Sequence, residues 1–340
     1  MRGKRLAVYS VIITVMLIFT SCGKKRDIHY SADNEIINVI DDAGSFDDVF
    51  KLDKEIQLSK DSYFISDIAS LLIGKKNELI IFDNKPECDV VIFDEEGKFI
   101  KILAKHGEWP GEYRFLQGMA INSKNELIVY EAVRSKIIIY DSLYNYVNSF
   151  NPRTPFGIPF IDRKNNLFFY ESMVIAFKKA KNRNSIYKID YNGDTVKSFA
   201  PFSPEVLKLD FSVRSAGLAF DKDNFLYEMN PIFYEIRKFD SEGNLIKNFG
   251  KAKLGLKETD IGNGQKYNVP IIYKGPYIFD SNILMVESEG KLDFYDTEGN
   301  LIKSGIKSEK SITAAIGNYL YIVKNAEKDG NAVIQRYKFR

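Results

Sequence analysis

Beyond residue 50 the chain alternates short apolar runs with clusters of Asn, Asp and Gly. β-Branched and aromatic residues dominate the runs, as in Leu79-Ile80-Ile81-Phe82 and Leu127-Ile128-Val129-Tyr130. Such runs between turn residues predict strands. No stretch after residue 30 holds a 3.6-residue period over three turns, so helix is a minor element.

Two lines recur. One runs Val91-Ile92-Phe93-Asp94-Glu95-Glu96-Gly97-Lys98-Phe99-Ile100-Lys101, and it returns around Asp141, Asp190, Asp240 and Asp296 at spacings of 47, 49, 50 and 56 residues. The other begins with Asn and an apolar run, at Asn77, Asn125, Asn166, Asn224, Asn282 and Asn318. Six copies of strand, turn, strand, turn, strand, hairpin and strand fill residues 50–340. Four-stranded units of this length are blades of a β-propeller. The expected fold is therefore all-β: a six-bladed β-propeller of four-stranded antiparallel blades over 49–340. The sixth copy lacks an outer strand after Val333–Tyr337, and Val49–Leu58 alternates like one. An N-terminal strand pairing with the C-terminal blade closes the ring and covers an exposed edge.

The Asp-x-x-Gly repeats invite a calcium reading, since Ca²⁺ takes six to eight oxygens. A turn explains them better: Asp bonds to backbone N–H groups ahead of it and Gly takes the left-handed position. Tyr144 occupies that Gly place in the copy at 141–144 and requires a different accommodation.

The first residues are of another kind. Arg2, Lys4 and Arg5 precede a fifteen-residue apolar run, Leu6–Thr20. That is short for a membrane span and fits a secretory signal. The run ends Phe19-Thr20-Ser21-Cys22-Gly23, which resembles the lipobox of bacterial lipoproteins. The resemblance implies cleavage after residue 21, acylation of Cys22 and a bilayer as partner, with residues 22–48 as a tether. Gly23 in place of Asp and the basic Lys24-Lys25-Arg26 point to the periplasmic side of an outer membrane. Cys88 is then the remaining thiol, in a hairpin connection.

His106-Gly107-Glu108-Trp109-Pro110-Gly111-Glu112-Tyr113 is the most distinctive stretch. With the lipobox and the Phe-Asp-x-x-Gly repeats, it resembles the Gly-x-Gly-Pro-Gly-Glu-Tyr connection of six-bladed propeller lipoproteins of Bacteroidetes, relatives of NHL-repeat propellers. Here Glu108 and Trp109 replace small residues of that pattern. The resemblance covers roughly residues 15–340 and implies fold and location rather than an activity.

Composition narrows function by exclusion. The precursor has 48 Lys+Arg against 46 Asp+Glu, a net charge of +2. Removing residues 1–21 takes Arg2, Lys4 and Arg5 and no acid, so 45 basic residues face 46 acidic ones and the net charge becomes −1. Neither value makes an electrostatic case for nucleic acid. Two Cys and two His exclude a disulfide scaffold and a multi-histidine zinc site. The 20 Tyr and 25 Phe fit the packing of blade against blade.

Two functions stay open. One is a binding module for a protein, peptide or glycan, using connections between blades. Its candidate residues are Trp109, Tyr113, Arg114, Arg153 and Phe156; Trp109 and Tyr113 also suit packing between blades. A basic tip at 178–183 is a further anionic-partner candidate. The other is a calcium-dependent lactonase-like or lyase-like enzyme in the central channel, where Asp67, Gln117, Asp162 and Asn268 are the candidate metal residues. No Gly-x-Ser-x-Gly or phosphate loop is present, and binding is the preferred reading.

Overall fold

The computed structural model describes residues 44–340, except 61, 66, 85–88, 105, 155–156, 172, 175–183, 203–212, 215–216, 231–232, 255, 261–265, 271–272 and 325–331. Six four-stranded antiparallel sheets follow one another. Blade I holds Ile68–Ile73, Leu79–Asp83, Val90–Phe93 and Phe99–Ala104, from the innermost strand outward. Blade II holds Leu116–Ile121, Leu127–Glu131, Lys136–Tyr140 and Tyr146–Phe150. Blade III holds Ile158–Ile161, Leu167–Tyr170, Asn184–Ile189 and Thr195–Pro201. Blade IV holds Gly217–Phe220, Leu226–Met229, Phe233–Phe239 and Leu245–Leu254. Blade V holds Tyr273–Ile278, Ile283–Ser288, Lys291–Asp296 and Leu301–Lys307. Blade VI holds Ile312–Ile316, Tyr319–Lys324, Val333–Phe339 and, as its outer strand, Phe50–Gln57.

The ring thus closes as the sequence predicts. Phe50 pairs with Phe339 and Gln57 with Val333, antiparallel. Phe50 is 1% exposed and packs on Phe279, Phe294 and Phe339, so the closing strand also supplies core. The packed chain begins before residue 49. Phe46–Val49 forms a single helical turn, among the described residues the one helix. Asp48 Oδ2 accepts the Ser45 N–H at 2.7 Å and its hydroxyl at 2.9 Å. Phe46 stacks on Phe50 and meets Tyr337 edge-on, which explains why the last residues assigned to a tether belong to the ring.

Six hydrophobic clusters are described, one at each junction of neighbouring blades. Ile80 and Ile92 of blade I meet Met119, Val129 and Ile138 of blade II. Ile81 and Val91 of blade I face the other way, onto Tyr321 and Ile334 of blade VI. Alternate residues of a strand point to opposite faces, and both faces of these strands are covered. That is why the middle strands read as continuous apolar runs instead of alternating ones.

The turns follow the repeats. Asp94 Oδ1 accepts the N–H groups of Glu96 and Lys98, and Gly97 has φ +85°. A Cβ on Gly97 would come within 2.4 Å of the Gln57 carbonyl oxygen, so both conformation and space require glycine there. Tyr144 takes the same left-handed conformation, φ +62°, with its ring buried against the blade I–II cluster. Pro159 lies inside the inner strand of blade III. That strand pairs on one side only, which is where a sheet tolerates Pro.

Candidate functional site

The connection from blade I to blade II is built as a closed loop. The Gly107 N–H donates to the Tyr113 carbonyl at 2.9 Å, closing its neck. Inside it, Trp109-Pro110-Gly111-Glu112 is a tight turn. The Glu112 N–H reaches the Trp109 carbonyl at 2.8 Å, and Gly111 has φ +85°. Pro followed by a left-handed Gly is the signature of a type II turn. Glu112 Oε2 accepts the Trp109 N–H at 2.9 Å.

Two groups of blade II brace this loop from below. The Tyr140 hydroxyl donates to the Gly111 carbonyl at 2.5 Å. Burial pushes that hydroxyl's pKa far up, so it remains a donor across the physiological range. Arg134 Nη2 donates to the Gly107 carbonyl at 3.0 Å, and its Nε pairs with the fully buried Glu131 at 3.0 Å. Tyr113 is 0% exposed and anchors the end of the loop in the blade I–II core. Trp109 stands at the tip with 77% of its surface exposed. Glu108 and Arg114 form an exposed ion pair beside it.

The candidate binding residues therefore divide. Trp109 and Arg114 are presented to solvent on one braced loop, whereas Tyr113 packs inside. Arg153 sits on the next junction: its N–H donates to the Gly193 carbonyl at 2.7 Å and its guanidinium pairs with Asp194 at 2.6 Å. Phe156, Cys22, Cys88 and the basic tip at 178–183 lie outside the described residues.

The channel candidates do not converge. Asp67 precedes the inner strand of blade I, where its N–H is held by Asp83 Oδ1 at 2.8 Å. Gln117 lies near the start of the inner strand of blade II. Asp162 follows the inner strand of blade III and occupies the opposite mouth. There Oδ1 accepts the N–H groups of Lys164 and Asn166. Inner strands run in one sense around a channel, so Asp67 and Asp162 are separated by a strand length, on the order of 15 Å. Asn268 belongs to Lys266–Pro270, which pairs with Leu256–Asp260 outside every blade. Among the described residues no three His, Cys, Asp or Glu side chains group as metal ligands.

Two sets of residues had a visible sequence signal but no assigned role. In four blades an Asn at the turn into the second strand joins the neighbouring blade; in blade III it is Asn165, one residue before the Asn166 of the repeat. Asn125 Oδ1 accepts the Lys75 N–H at 2.7 Å, Asn165 that of Ser123 at 3.0 Å, Asn224 that of Arg163 at 3.1 Å and Asn318 that of Ser281 at 3.0 Å. The Lys that closes the other line latches the next hairpin: Lys101 Nζ reaches the Leu143 carbonyl at 2.9 Å and Lys247 Nζ the Glu298 carbonyl at 2.9 Å. Repetition at blade spacing was the signal for both.

Known proteins place the architecture. The model of the family DUF5128, described as a 6-bladed beta-propeller, matches residues 25–230. A putative exported protein from Bacteroides fragilis is similar with a TM-score of 0.64 at 12% identity, over 90% of this chain and 98% of that one. A member of the duf4221 family from Bacteroides vulgatus is similar with a TM-score of 0.59 at 14% identity, over 86% and 98%. A streptogramin B lyase is similar with a TM-score of 0.51 at 14% identity, over 86% and 88%. No curated protein matches the sequence.

Proposed function

We propose, from the premise that this chain belongs to the DUF5128 family of 6-bladed beta-propellers, that it is an exported binding module held at the cell-envelope membrane by acylation of Cys22. The observation that carries the binding reading is Trp109. A large aromatic surface is left 77% exposed on a loop whose backbone is fixed by Tyr140, Arg134 and Glu112. Aromatic anchors on preorganised supports dominate binding energy, because little conformational entropy is lost when they dock. The Glu108–Arg114 pair beside Trp109 supplies a polar rim. A protein, peptide or glycan with an apolar or ring-shaped contact fits this surface.

The signal and lipobox support export and anchoring. Acyl chains contribute about 0.8 kcal/mol per buried CH₂, and two chains make attachment stable. An outer-membrane position facing the periplasm follows from Gly23 and the basic residues after it.

The test replaces Trp109 with a photo-crosslinking amino acid in intact cells, with exposed Val196 on an outer strand as the control position. A discrete adduct at 109, absent at 196 and competed by the unlabelled chain but not by its Trp109→Ala form, is the expected result. Equal adducts at both positions overturn the loop assignment. Cys22→Ser tests the anchor separately: the chain should leave the membrane fraction and keep its fold.

A further inference from the structure

The central channel is a second feature, independent of the Trp109 loop. A cavity of about 810 Å³ lies between the inner strands, with walls from blades I, III, IV, V and VI. Leu72, Phe160, Leu218, Phe220, Tyr277 and Ile316 are among its lining residues. The volume lies in the range of small-molecule sites, which are mostly apolar with a few polar groups that orient the ligand. Two charged residues line it, and each has its own acid at 2.9 Å: Asp280 for Arg163 and Glu287 for Lys274. The wall thus offers an ion no unpaired counter-charge among the described residues. An ion that enters an apolar space without one bears its full desolvation cost, so the wall favours a neutral ligand.

Blade V supplies the polar groups. Its first two strands pair Lys274 with Glu287 and Tyr277 with Met285. Met285 and Glu287 are two residues apart in one strand, so they point to the same face. Tyr277 and Glu287 are therefore diagonal neighbours on that face, within the reach of long and aromatic side chains. Neither is satisfied within the protein. Glu287 is 7% exposed; its Oε1 accepts from Lys274 Nζ, and its Oε2 is buried with no hydrogen-bond partner among the described residues. A buried acceptor without a donor is costly, and few occur in folded proteins. The Tyr277 hydroxyl makes no hydrogen bond among the described residues either. Burial and the nearby charge of Glu287 push its pKa far up, so it stays protonated and able to donate. A donor beside an acceptor suits one hydroxyl, whose oxygen accepts from Tyr277 while its O–H donates to Glu287.

We infer that the channel binds a neutral, apolar alcohol or phenol, with its body between the inner strands and its hydroxyl between Tyr277 and Glu287. Hydroxypyrene is a suitable probe, because the same fluorescent ring is available with methoxy, carboxylate or no substituent. Each is titrated by fluorescence at neutral pH into the full chain carrying Cys22→Ser. Saturable binding of hydroxypyrene is expected. It should be at least fivefold tighter than that of methoxypyrene, which accepts but cannot donate. It should be at least tenfold tighter than that of pyrenecarboxylate, which carries a charge. Tyr277→Phe should weaken hydroxypyrene at least fivefold and leave pyrene unchanged. Ala69→Trp fills the channel from an exposed wall position and should abolish binding; Ala219→Trp is the second plug should the first lower the melting temperature. No saturable binding by the folded chain, equal affinity for the methoxy or carboxylate probe, a Tyr277→Phe loss shared by pyrene, or binding that survives both plugs overturns the inference.

Discussion

Asn224 of blade IV donates its Nδ2 to Asp162 Oδ2 of blade III at 2.9 Å while its Oδ1 accepts the Arg163 N–H at 3.1 Å. One buried amide thus ties two neighbouring blades at the channel mouth, from a residue with φ +69°. Asn visits that conformation more readily than other residues with a side chain, because its short amide bonds locally. Asn224→Ala removes both bonds, each worth about 1 kcal/mol, and adds left-handed strain of about 1 kcal/mol. A loss of about 3 kcal/mol in urea unfolding is expected, and Asn224→Gly, which spares the strain, should lose less. Equal losses for the two variants would count against the conformational part of this account.

The closing strand is the second test. Phe50→Ala removes a ring packed on four aromatic neighbours, and large core truncations of this kind cost about 3–5 kcal/mol. Deleting residues 44–57 should go further and convert one cooperative transition into a broad one, because blade VI then exposes the edge of Val333–Phe339. Calorimetry with the van't Hoff comparison reads the difference; an unchanged midpoint would refute the role of the strand.

Tyr144 and Gly97 occupy the same turn position, and exchange of side chain should cost stability at both, for different reasons. Tyr144→Gly relieves about 1–2 kcal/mol of backbone strain but loses a buried aromatic worth about 3–5 kcal/mol, leaving a net loss of about 2 kcal/mol. Gly97→Ala gains nothing, since its Cβ meets the Gln57 carbonyl oxygen. Thermal melts of both variants settle whether packing or conformation dominates at each place.

Acid should loosen the hairpins. Backbone N–H donation from Asn145 to Asp141, and from Asp194 to Asp190, holds both carboxyls below the usual carboxylate range. A depressed folded value adds stability above the unfolded value of about 3.9, and that stability is lost as pH falls through the folded value. The melting temperature of the Asp141→Asn/Asp190→Asn form should lie below that of the parent at neutral pH. The gap should close as pH falls from about 4. A gap that stays constant to pH 2 would mean that charge has no part in these turns.

The Lys latches are exposed and individually weak. Lys247→Met should cost under about 1 kcal/mol, as surface charge interactions do. Lys101→Met and Lys247→Met lie on different blades, so their costs should add in denaturant melts. A combined loss well beyond the sum would reveal coupling around the ring.

The sequence alone determined the architecture of this protein. A repeat forces the same strand pattern six times, and the unpaired third strand near Val333 together with the orphan strand after Val49 left one way to close the ring. Turn chemistry was equally legible, because Asp94 and Gly97 act through bonds within five residues of chain. The functional surfaces were not. Trp109 and Tyr113 look alike in sequence, and burial at a junction of two blades alone leaves one exposed and makes the other an anchor. Asp67, Gln117, Asp162 and Asn268 are acids and amides that the pattern puts near inner strands, but strand direction and the separate hairpin at 266–270 part them. The channel exists only after the inner strands of five blades meet, from residues more than two hundred positions apart. Local pattern fixes local geometry; which side chains share a space is a property of closure.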